Sequence, residues 1–140
     1  GKLSTPFAYG RAIGKDTNTG RPVNSVNPSR LNAGLKFDAE VWAVRLDATH
    51  RAAKKASDIH SAGLVTAPAT QFATPSATTF DLSAQWRIRP GMRLSVGLYN
   101  LTDRKYWQWA DVRGVASNST VVDAYTQPGR NVRVSFVADF

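Results

Sequence analysis

From Thr79 to Arg89 the chain sets Phe80, Leu82, Ala84, Trp86 and Ile88 at every second position, with Asp81, Ser83, Gln85, Arg87 and Arg89 between them. Successive side chains of an extended strand point to opposite faces, so this segment is a strand with one apolar and one polar surface. The last residues repeat the pattern. Val132, Val134, Phe136, Ala138 and Phe140 share one face and Arg133, Ser135 and Asp139 the other, with Val137 as the apolar exception. One such strand suits the edge of a water-soluble sandwich equally well. What constrains this chain is that most of its strands are built this way.

Six strand-like segments are expected. The first runs from about Leu3 to Ile13, with Phe7, Tyr9 and Ile13 at period two, although Leu3 shares that register with Arg11. The second, about Arg30 to Phe37, sets Leu31, Ala33, Leu35 and Phe37 against Arg30, Asn32, Gly34 and Lys36. The third sets Trp42, Val44, Leu46 and Ala48 against Val41, Ala43, Arg45, Asp47 and Thr49. Arg45 and Asp47 on one face would be costly in lipid, which assigns that face to a lumen. Thr79–Arg89 is the fourth; the fifth sets Met92, Leu94, Val96 and Leu98 against Arg93, Ser95, Gly97 and Tyr99, and the sixth closes the chain.

The connections alternate between short and long. Asp38-Ala39-Glu40 and Pro90-Gly91 are tight, whereas 14–28, 51–78 and 107–128 are long and rich in turn formers or small polar residues. Soluble sandwiches scatter loop lengths over both ends, while outer-membrane barrels keep short periplasmic turns and longer external loops. With lipid outside, the apolar faces need no core, and Trp42, Trp86 and Phe140 fall at one short-turn level, as an aromatic girdle would. The expected fold is therefore all-β, an antiparallel transmembrane β-barrel segment of about six strands.

Composition narrows the function. The formal charge of +8 and pI near 10.3 come from basic residues spread along strands, with no nucleic-acid-binding motif, so no nucleic-acid partner is expected. Basic side chains along a barrel wall, or facing anionic lipid and lipopolysaccharide, account for the charge. There is no cysteine, hence no disulfide or thiolate site. The chain begins Gly1-Lys2 without a signal-peptide pattern and lacks a run of apolar residues long enough for a spanning helix; the expectation is a piece of a larger or processed protein.

Two elements near the end identify a family. Asn100-Leu101-Thr102-Asp103-Arg104-Lys105-Tyr106-Trp107 is followed, after a loop, by Gln127-Pro128-Gly129-Arg130-Asn131 and the closing strand. Asn-Leu-Thr-Asp-x-x-Tyr, then Pro-Gly-Arg, then an alternating strand ending in Phe resembles the carboxyl-terminal end of TonB-dependent outer-membrane receptors. The motif residues are thus Asn100, Leu101, Thr102, Asp103, Tyr106, Pro128, Gly129 and Arg130. The resemblance implies that residues 1–140 are the last six strands of a 22-stranded barrel, with the plug domain and earlier strands absent. It also implies partnership with the TonB complex through the missing plug, and with the barrel assembly machinery through Val132, Val134, Phe136, Ala138 and Phe140. In physical terms, Gly129 is expected to let the chain turn into the wall and Pro128 to fix the approach.

Thr19-Gly20-Arg21-Pro22-Val23-Asn24-Ser25-Val26-Asn27-Pro28 is similar to a stretch of the haem and haemoglobin receptor branch, with Val23 where leucine is usual. The branch's Phe-Arg-Ala-Pro and Asn-Pro-Asn-Leu motifs do not occur, so no haem ligand is carried over. His60 is the candidate haem ligand within the chain and His50 a lesser one; a lone exposed histidine is ordinarily a polar surface residue. No catalytic set, metal site or phosphate loop can be assembled from Asp47, Asp81, Asp139 and the other polar residues. The implied function is active transport of an iron-containing ligand, haem or a haemoprotein, with haem as cargo rather than cofactor. The alternatives are a siderophore or cobalamin receptor, then a passive porin or an outer-membrane barrel enzyme.

Overall fold

The computed structural model describes residues 1–60 and 70–139. Its strands are β1 (Lys2–Ser4), β2 (Phe7–Gly10), β3 (Arg30–Asp38), β4 (Trp42–Arg51), β5 (Ala77–Arg89), β6 (Met92–Tyr99) and β7 (Asn131–Ala138). They form one antiparallel sheet in the order β1-β3-β4-β5-β6-β7, with β2 also on β3.

β1 and β2 are one strand interrupted at Thr5-Pro6. Ser4 opposes Lys36 and Phe7 opposes Ala33, so the register is unchanged across the break. Proline has no N–H for the ladder, but its carbonyl still accepts from Gly34 N at 2.9 Å. Gly34 must be small there, since a Cβ would lie 2.7 Å from Asp47 Oδ1 and 3.1 Å from Pro6 Cγ. The strand expected over 3–13 therefore ends at Gly10, where pairing with β3 stops at Arg30.

Register decides which residues share a face. Leu3, Phe37, Val44, Ala84, Val96 and Val134 oppose one another in turn across the sheet, as do Ser4, Lys36, Arg45, Ser83, Gly97 and Arg133 on the reverse side. Leu35, Leu46, Leu82, Leu98 and Val132 form a second apolar row, and Trp42, Trp86, Leu94 and Phe136 a third. One surface is thus continuously apolar and the other polar. The apolar surface is open: Phe7 is 71 % exposed, Val134 63 % and Trp86 52 %. A soluble domain would cover such a surface. Among the described residues no second sheet packs on it, and no helix is long and apolar enough to cross a membrane.

The short connections lie at one end. Ala39 N donates to Trp42 O at 2.8 Å, and Gly91 takes the left-handed conformation (φ +77°) that the Pro90-Gly91 turn requires. The long connections lie at the other, and the buried hydrophobic residues, Ala77, Trp109 and Val112, are there rather than in the wall. The segment expected as loop over 107–127 contains a helical turn, α1 (Trp109–Val112), and a 3-10 turn at Val122–Tyr125. Phe140 and residues 61–69 lie outside the described residues, so the facing expected for Phe140 does too.

Candidate functional site at the loop end

The end of the wall that carries the long loops is built in two layers. The lower layer is formed by the motif residues. Asn100, 4 % exposed, leaves β6 in a left-handed conformation (φ +52°). Its Nδ2 donates to the carbonyls of Arg104 (2.9 Å) and Pro128 (3.2 Å), and its Oδ1 accepts from Arg104 N at 2.8 Å. Its own N–H donates to Asp81 Oδ1 on β5. Asp103, also left-handed (φ +52°), accepts from Arg130 N at 2.7 Å. One amide and one carboxylate thereby tie the exit of β6 to the start of β7. The role expected for Gly129 is corrected here: its φ is not positive, and what it supplies is space, because a Cβ would meet Asp103 Oδ1 at 2.6 Å.

The upper layer joins the three long loops. Trp109 Nε1 donates to Asn24 O at 2.6 Å, and the Lys54 ammonium donates to Val26 O at 2.8 Å and lies 5.0 Å from the Trp109 ring centre. Burial lowers the Lys54 pKa from its ordinary value, against a smaller opposing pull from Asp58. Gln71 Oε1 accepts from Gly114 N, and its Nε2 donates to His60 O. Phe72 N bonds Val115 O at 2.8 Å and Ser117 N bonds Thr70 O at 2.7 Å, a short backbone ladder between loops. Phe72 also meets Trp107 edge to face, and Arg51 stacks on the Tyr106 ring at 4.7 Å.

The two histidines are placed apart. His50 opposes Thr78 in the apolar-face register, with Nδ1 2.9 Å from Thr78 Oγ1. The His60 backbone is held by Asn24 and its Nε2 lies 3.2 Å from Arg21 Nη1. A guanidinium only donates, so that nitrogen is the acceptor and is engaged. Among the described residues no group of three His, Asp or Glu side chains gathers as a metal site. Asn24, Lys54 and Gln71, which organise the upper layer, were not singled out by sequence reasoning; a polar side chain buried by loop packing leaves no periodic signal.

On the polar wall, Arg45 forks onto Asp47 (2.6 and 2.7 Å) and Lys36 pairs with Asp38 at 2.8 Å. Directly below the loops Arg30 and Arg51 oppose each other across β3 and β4.

An antiparallel sheet with one open apolar face, one charged face, tight turns at one end and a layered loop cluster at the other is a section of an outer-membrane β-barrel wall. Residues 2–101 match the family described as TonB dependent receptor-like, beta-barrel, and the chain belongs to that family. It is 30% identical over 155 aligned positions, 99% of this chain and 19% of the relative, to the hemoglobin-haptoglobin utilization protein B of Neisseria meningitidis. It is 28% identical to the transferrin-binding protein A of the same species, over 99% of this chain and 18% of that protein. Among solved structures the copper transporter OprC superposes with a TM-score of 0.77 at 19% identity, over 100% of this chain and 21% of that one. The ferric enterobactin receptor of Pseudomonas aeruginosa gives 0.66 at 17% identity, over 99% of this chain and 20% of that one. The chain thus spans about a fifth of the length of the relatives it matches.

Proposed function

We propose that this chain is the carboxyl-terminal barrel segment of a TonB-dependent transporter that takes up iron as haem or from haemoproteins. The observation that carries the reading is the similarity, over nearly the whole chain, to a protein named for haemoglobin-haptoglobin utilisation. The Thr19–Pro28 stretch and the loop layer it enters through Asn24 and Val26 agree with it. In this reading the external loops capture the ligand, and a plug carried elsewhere in the protein rearranges when the TonB complex pulls on it. The wall performs no chemistry on the ligand. The closing strand with Val132, Val134, Phe136, Ala138 and Phe140 serves as the segment that the assembly machinery recognises, and lipid with lipopolysaccharide surrounds the apolar face.

The test is growth of a strain that expresses the intact receptor as its only iron uptake system. Growth on haem or haemoglobin is expected, with dependence on TonB. His60→Ala should leave uptake within about threefold, since losing a true axial ligand would remove a metal bond and most of the affinity. Growth on a ferric siderophore but not on haem would overturn the ligand and keep the transporter; solute passage without TonB would overturn both.

A further inference from the structure

Three cross-strand pairs on the polar face set cation against cation: Arg30 with Arg51, Lys36 with Arg45, and Arg87 with Arg93. Like charges directly opposite in an antiparallel pair repel, and a folded wall offsets that with carboxylates. Lys36 and Arg45 have theirs in Asp38 and Asp47. Arg30 and Arg51 have none within ion-pair distance among the described residues; the nearby Asp81 spends Oδ1 on Asn100 N. Arg30 Nε bonds Asn32 Oδ1 and Arg51 Nη1 bonds Thr79 Oγ1, contacts that aim the two guanidinium groups while leaving other N–H donors unspent.

This pair also differs from Arg87 and Arg93 in its surroundings. It lines a cavity of about 160 Å³ whose other walls include Pro28, Pro75, Trp107 and Trp109. Both indole N–H groups are already used, by Val122 O and Asn24 O, so the indoles present hydrocarbon to the cavity. Two guanidinium groups beside an apolar wall suit a planar apolar ligand that carries carboxylates on its edge. The cavity has room for a carboxylate-bearing arm, not for a whole macrocycle, which matches an anchor at the edge of a larger site.

We infer that Arg30 and Arg51 form a carboxylate anchor at the loop end of the barrel, which holds a propionate arm of the imported iron porphyrin. The inference rests on the haem reading above. It is tested on the purified intact receptor by equilibrium titration with iron protoporphyrin IX and with its dimethyl ester, which keeps the ring and metal and lacks the charges. Wild type should bind the acid at least about tenfold more tightly than the ester, one decade of affinity for one well-paired carboxylate. Arg30→Gln and Arg51→Gln should each remove most of that preference with ester binding unchanged, and Arg51→Lys should restore part of it. Arg51 is packed on Tyr106, so if its Gln variant fails to fold the exposed Arg30 decides alone. Equal binding of acid and ester by wild type, or equal loss of both in Arg30→Gln, would overturn the anchor and leave the haem reading intact. Binding of neither compound by wild type would overturn both.

Discussion

At the scale of single residues, a few side chains hold a turn that the wall depends on. Asn100 makes three side-chain hydrogen bonds from a buried, left-handed position. Asn100→Ala orphans the Pro128 and Arg104 groups and should cost about 2–4 kcal/mol, summing two or three bonds of ordinary net strength with the burial penalty. Denaturant unfolding of the refolded receptor in lipid vesicles measures this. Gly129→Ala should be destabilising by about 1–3 kcal/mol through its contact with Asp103 Oδ1. If that contact is the cause, a double-mutant cycle with Asp103→Ala will be clearly less than additive. Asp16 offers a pH test. Its Oδ1 accepts from Thr19 N and Asn18 N, and those bonds, Thr19's first, lower its pKa. A depressed carboxylate pKa contributes stability above the unfolded-state value that is lost as pH falls through the folded one. Amide exchange at Asn18 and Thr19 should therefore accelerate, beyond the intrinsic pH trend, below the ordinary aspartate range. Asp16→Asn should flatten that excess.

At the scale of the element, each strand is defined by the two media it separates. β7 shows this most simply, since Val134 and Ser135 are neighbours in sequence and face opposite sides near mid-strand. Val134→Arg should cost about 2–4 kcal/mol in a bilayer, the penalty for a cation on a lipid-facing barrel position near the midplane, whereas Ser135→Arg should stay within about 1 kcal/mol. Equal costs at both positions, measured by reversible unfolding in lipid, would mean that the faces are not what the register implies. The same logic explains the Arg45–Asp47 fork: a charge pair is affordable on the polar side of β4, one residue from the apolar Val44 and Leu46.

At the scale of the whole molecule, the wall is held by its ladders and the loops are held by one another. Trp109, only 3 % exposed, is where residues from the first and last long loops meet, with Lys54 from the middle one against its ring. Trp109→Ala should cost the loop layer about 3–5 kcal/mol while leaving the barrel folded, because the loss is confined to a unit that opens without the strands. Amide exchange at Phe72, Val115 and Ser117 should then rise by two or more orders of magnitude, with β4 to β6 unchanged. A parallel loss in the strands would show that loops and wall unfold as one.

How much of this was legible beforehand follows from the range of each interaction. Which residues form strands, which face each presents, and which connections are tight were all determined by the sequence alone. Period-two alternation and turn chemistry act within a few residues, and a slip of one would expose every side chain to the wrong medium. A slip of two leaves every face unchanged, so alternation leaves the register open. That Arg30 stands opposite Arg51, and Trp42 opposite Trp86, is set by how the whole ladder closes on its turns. The break at Pro6 and the early end at Gly10 belong to the same class, since they depend on what β3 offers as a partner. Likewise the bond from Trp109 to Asn24 joins positions 85 apart, and the space that Gly129 leaves is filled by Asp103 from another loop. Only the tertiary structure brings such groups together, because no local preference encodes a contact whose two halves lie on separate connections.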